Sequence, residues 1–150
     1  MSHEHSYRKL GLMILLSFIA MYVLMYAMVD SFSNVFPSYN QFYMAGLMAS
    51  PMVLIELWLM RMMYPNKKLN GFLALLTLVL FVGFWVGIRQ QAAVGDEQFL
   101  KSMIPHHAGA ILMCNEAKIE DLEIQALCQN ILNGQQAEID FMKAKLNSLE

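Results

Sequence analysis

Three long apolar runs constrain this chain more than any other feature. Leu10 to Val29, Phe42 to Met63 and Phe72 to Ile88 together hold one acid, Glu56, and one base, Arg61. The hydrocarbon core of a bilayer is about 30 Å thick and takes about 20 apolar residues to cross as a helix. The first two runs meet that length, and the third meets it by borrowing flanking residues. Backbone in hydrocarbon finds no partner for its amides, so each run must be helical. Arg8 and Lys9 precede the first run, as in a signal peptide. That run exceeds a usual signal core, however, and no small-x-small cleavage site follows it, so it reads as a retained span.

The basic residues orient the spans. They lie before the first run (Arg8, Lys9) and around the turn between the second and third (Arg61, Lys67, Lys68), and the loop from Asp30 to Gln41 has none. Lys and Arg collect in cytoplasmic loops, so the N-terminus is expected inside and everything after the third span outside. In a bacterium this makes a multi-pass protein of the inner membrane with a periplasmic or extracellular C-terminal domain. Phe32, Phe36, Tyr39, Phe42 and Tyr43 lie in or beside the outer loop, like an aromatic belt.

Composition changes near residue 95. Residues 1–94 read as the membrane domain, and residues 95–150 hold most of the charge. The net charge of −2 and the absence of any basic block give no reason to expect nucleic acid. The polar part reads as two helices. One starts at Gly95 or Asp96, with Glu97 in its opening turn. Phe99, Met103, His106, Ala110, Met113 and Ala117 recur along it at three- and four-residue steps, which marks them as its apolar face. Pro105 is expected to kink it near Lys101 to Ile104. A turn at Lys118 to Leu122 leads to a second helix from about Asp121 to Leu149, with Cys128, Leu132, Gln135, Ile139, Met142 and Leu146 on one face. The architecture is therefore all-α: three transmembrane helices followed by an extracytoplasmic two-helix hairpin. Two helices bury too little apolar area to stand alone, so a homo-oligomer is expected, most simply a dimer forming a four-helix bundle.

Chemistry concentrates in Met103 to Cys114, M-I-P-H-H-A-G-A-I-L-M-C. On a helix, Met103, His106, His107, Met113 and Cys114 share an arc roughly a third of the circumference wide. Imidazole and sulfur donors on one face suit Cu(I) or Ag(I) rather than Ca²⁺ or Mg²⁺. The competing reading is packing, since Met, Cys and His occur often in helix cores. Outside the cytoplasm Cys114 and Cys128 can pair as a disulfide, which would remove Cys114 as a ligand. Met21, Met25 and Met28 form a ridge on the first span, and Met44, Met48, Met52, Glu56 and Met60 form one on the second. Lipid-facing or packing surface is the favoured reading of these ridges over a thioether path for ions. Glu56, an acid at membrane depth, is either hydrogen-bonded in protonated form, a relay, or partner to a neighbouring chain. The chain has no Glu-x-x-His, His-Glu-x-x-His, Walker loop or G-x-S-x-G, so no enzyme is expected.

The run D-E-Q-F-L-K-S-M-I-P-H-H-A-G-A-I-L-M, followed by Q-Q-A-E-I-D-F-M, resembles domain of unknown function family 305 over about Asp96 to Leu146. The resemblance implies a ferritin-like, all-helical, often extracytoplasmic domain associated with copper handling. Carried over by position, it singles out Met103, His106, His107, Met113 and Met142 as metal ligands. Ala108 stands where members commonly have Gln, and Cys114 where a small apolar residue is common. Many members carry tandem hairpins and this chain has one, which favours assembly from several chains. The function expected is membrane-anchored binding of copper or silver for buffering, resistance or transfer. The alternative is an oligomeric membrane scaffold with no metal role.

Overall fold

The computed structural model describes residues 3–149 and is helical throughout them, with no strand. Helix α1 runs His3–Leu24, α2 Tyr39–Leu59, α3 Lys67–Gln90, α4 Asp96–Glu116 and α5 Leu122–Asn147. Short 3-10 turns at Met25–Met28 and Phe32–Asn34 lie between α1 and α2. Three segments are long and apolar enough to cross a membrane: His5–Met28, Tyr39–Leu59 and Lys67–Gln90. The third is longer than its apolar run because Asn66 caps it, its side chain accepting from the Leu69 amide at 3.0 Å. The second stops at Leu59, four residues before the end of its apolar run.

The chain forms two compact units. Met1–Leu24 and Asn40–Ala92 make the first, and Met25–Tyr39 with Ala93–Glu150 the second. The connector after α1 thus belongs with α4 and α5.

In the first unit α2 turns a ridge of small and branched residues inward: Ala45, Ala49, Val53 and Leu57 are buried. The adjacent ridge of Met44, Met48 and Met60 is exposed, as a lipid-facing surface would be. Gly46 admits the Phe84 ring so closely that an added Cβ would lie 2.4 Å from it. Pro51 lies inside α2 without ending it, and the Ser50 hydroxyl donates to the Gly46 carbonyl at 2.7 Å. Leu10, Val53, Leu57 and Tyr64 form a small core. There Glu56 accepts from the Tyr64 hydroxyl at 3.1 Å, the hydrogen bond an acid at membrane depth requires.

In the second unit α4 continues through Pro105. Asp121 caps α5, accepting from the amides of Glu123 (2.9 Å) and Ile124 (3.0 Å). The core joins Leu100, Ile104, Ala108 and Ile111 of α4 to Ile139, Met142 and Leu146 of α5. The α5 face matches the periodicity, but the α4 face does not. The buried stripe is rotated from the expected one, leaving Phe99 52% and Met113 53% exposed. The connector completes this core with Val29 and Phe36, so Phe36 packs inward instead of joining an aromatic belt. The connector approaches α4 closely at Gly109, where an added Cβ would lie 3.3 Å from the Met28 carbonyl oxygen. Further ties are Tyr26 Oη donating to the Phe36 carbonyl (2.8 Å) and the Tyr39 amide donating to Gln98 Oε1 (3.0 Å).

Candidate metal centre

Helix α4 carries the His pair between Ile104 and Ala108, both buried in the core. His106 and His107 have ring centroids 6.1 Å apart, with planes inclined at 59°. Neighbours on a helix diverge by about 100°, so the two rings serve different surroundings. His106 is exposed, whereas the His107 side chain is 12% exposed and turned toward α5. Its Nδ1 lies 3.0 Å from Glu138 Oε2. That approach is outside hydrogen-bond geometry, and Nδ1 is buried with no hydrogen-bond partner. Burial lowers the pKa of His107 from its ordinary value, Glu138 opposes that shift, and His106 adds to it. The ring is therefore neutral at physiological pH, the form that can donate to a metal.

The five residues singled out from the sequence separate into two groups. Met142 lies in the α4–α5 core and Met103 packs against that core. His106 and Met113 lie on the exposed side of α4. Their spacing of seven residues sets them about 10 Å apart along the axis, too far to share one ion within one chain. Among the described residues no group of three or more His, Cys, Asp or Glu side chains could hold a metal ion. Cys114 is joined to Cys128 by a disulfide with Cα atoms 5.4 Å apart, so it offers no thiolate. On the α5 side the remaining donors are the His107 imidazole, the Met103 thioether and the Met142 thioether of the core, a soft nitrogen and sulfur set.

Glu138 was not singled out from the sequence. The signal for it lies in the cysteines. Pairing Cys114 with Cys128 fixes the register of two antiparallel helices, and seven residues before Cys114 that register reaches the turn holding Gln135 to Glu138.

Comparison with known proteins follows the same division. The model of the family described as Domain of unknown function (DUF305) matches residues 87–146, which hold α4 and nearly all of α5. An uncharacterised protein of Acanthamoeba polyphaga mimivirus is 32% identical over 139 residues, covering 91% of this chain and 90% of that protein. That likeness extends well beyond α4 and α5 into the apolar helices. No solved structure matches. With its His pair inside the matched segment and a full-length relative beyond it, the chain belongs to the DUF305 family.

Proposed function

We propose that this protein is a membrane-anchored binder of soft metal ions, Cu(I) or Ag(I), which buffers the ion, removes it or passes it on. The observation that carries the reading is His107: a neutral, buried imidazole whose Nδ1 makes no hydrogen bond although Glu138 lies 3.0 Å away, next to His106 and on the helix that carries Met103. An unpaired buried nitrogen is costly unless something occupies it. In this reading His106 and His107 supply nitrogen, Met103 and Met142 supply sulfur within one chain, Met113 supplies sulfur across a pair of chains, and Glu138 lies 3.0 Å from His107 Nδ1.

The ion is held outside the cytoplasm. Basic residues mark the N-terminal side as inner. The packing of Val29 and Phe36 onto the α4–α5 core supports the same arrangement. A connector and a domain that touch lie on one side of the membrane, so an even number of spans separates them, and α2 and α3 are two. In a bacterium this is the periplasmic face of the inner membrane. The exposed Phe99 and Met113 support a homo-oligomer in which paired α4–α5 hairpins build a ferritin-like four-helix bundle. Pairing would also bring donors from two chains together.

Met142 in the core favours the competing reading, an oligomeric scaffold whose His and Met residues only pack. An anaerobic competition titration of the full-length protein against a chromophoric Cu(I) chelator separates the two. Replacing both His106 and His107 by Ala should weaken Cu(I) at least tenfold and reduce the loss of affinity at acid pH. Equal affinity in wild type and variant would refute the metal reading.

A further inference from the structure

The first unit contains a groove of about 370 Å³ with almost wholly apolar walls. Helix α2 forms its floor from Gly46 to Val53, and α1 and α3 form its sides from Gly11 to Phe18 and from Leu73 to Phe84. Successive helices run in opposite directions, so Gly11, Val53 and Leu73 mark one end and Phe18, Gly46 and Phe84 the other. The second end is closed by rings: Phe42 stands edge-on to Phe18 at 5.3 Å and to Phe84 at 6.0 Å. From Leu73 to Phe84 the groove rises about 16 Å, half the thickness of a bilayer's hydrocarbon core.

The first end abuts the small core of Leu10, Val53, Leu57 and Tyr64, and basic residues lie beyond it. Arg8 and Lys9 precede Gly11 on α1, Arg61 follows the end of α2, and Lys67 and Lys68 open α3. These five are half of the ten Lys and Arg in the chain, and all are exposed. The Lys or Arg ion pair among the described residues, Lys101 with Glu97, involves none of them. The acids of this region are Glu4, at the start of α1, and Glu56, which accepts from the Tyr64 hydroxyl. We propose that this groove binds an anionic phospholipid, with one acyl chain along α2 and the phosphate among the five basic side chains. The length of one leaflet, the closed aromatic end and the concentration of positive charge at the other end together select this occupant. A zwitterionic lipid would fill the groove equally well, but its ammonium group would offset the attraction of its phosphate to the cations. The inference rests on α1–α3 spanning a membrane, not on the metal site.

The test uses full-length protein extracted in mild detergent from carbonate-washed membranes. Absence from those membranes would refute the spanning reading itself, before any lipid is added. Phosphatidylglycerol and phosphatidylcholine with identical acyl chains are then compared by native mass spectrometry and thermal unfolding. Phosphatidylglycerol should remain bound and raise the unfolding temperature, with phosphatidylcholine at least tenfold weaker. Gly11→Leu should weaken phosphatidylglycerol binding at least tenfold by blocking one end of the groove, where an added Cβ meets nothing within 4 Å, and an unchanged unfolding temperature without lipid shows that the fold is kept. Replacing Arg61, Lys67 and Lys68 by Gln should make the two lipids equivalent. Equal binding of both lipids by the wild type, retention of phosphatidylglycerol by Gly11→Leu, or a dimer that Gly11→Leu dissociates without lipid present would each overturn the proposal.

Discussion

The Cys114–Cys128 disulfide should carry much of the stability of α4 and α5. It joins residues 14 apart, one on each helix. Closing a loop of that size removes chain entropy worth about 3 kcal/mol from the open state. The core it supports is small. Ile104 and Ile139 are the largest fully buried side chains, and the other five members are Leu100, Ala108, Ile111, Met142 and Leu146. Each large apolar side chain contributes about 1.5–3 kcal/mol, against an ordering cost of about 1–2 kcal/mol for every residue fixed. A margin drawn from such opposing terms is narrow, so the loss of about 3 kcal/mol should be visible as local opening. Amide hydrogen exchange of the full-length protein in detergent measures this directly. Reduction by a dithiol, or replacement of both cysteines by Ser, should speed exchange in the protected parts of α4 and α5 by roughly a hundredfold, since each 1.4 kcal/mol is about a factor of ten. Exchange in α1–α3 should change little. Unchanged protection in α4 and α5 after complete reduction would show that side-chain packing alone holds the pair, and the reasoning would be refuted.

Two further predictions concern His107 and the topology. The folded-state pKa of His107 is lowered, chiefly by burial, so below about pH 6.5 the unfolded chain takes up a proton more readily than the folded one. The second unit should therefore keep its full stability above that pH and lose stability as the pH falls. His107→Gln should flatten the dependence of the unfolding temperature between pH 7.5 and 5.5, and parallel profiles for wild type and variant would contradict the assignment. A periplasmic reporter enzyme fused after Glu150 should be active and one fused in the Arg61–Lys68 turn inactive, whereas activity only in the turn fusion would invert the proposed orientation.

The three helices long and apolar enough to cross a membrane are legible in the sequence because that capacity depends on run length, which a fixed hydrocarbon thickness sets. Helix ends were legible where a local device marks them: Asp121 before α5 and Gly95 before α4 act through their own neighbours. The face that α4 buries was not legible. Apolar residues surround most of that helix, so the stripe through Phe99, His106 and Met113 satisfies a helical period as well as the buried stripe through Leu100, Ile104, Ala108 and Ile111. Only a partner could choose between them. The disulfide sets the register against α5, and the connector then covers Gly109 and adds Val29 and Phe36 to the core. That choice also divides the candidate donors. The sequence by itself determined which residues carry soft nitrogen and sulfur. Tertiary packing alone decided that Met142 lies in the core, that His107 turns inward to Glu138, and that His106 and Met113 face outward, because burial depends on which helix arrives from elsewhere in the chain.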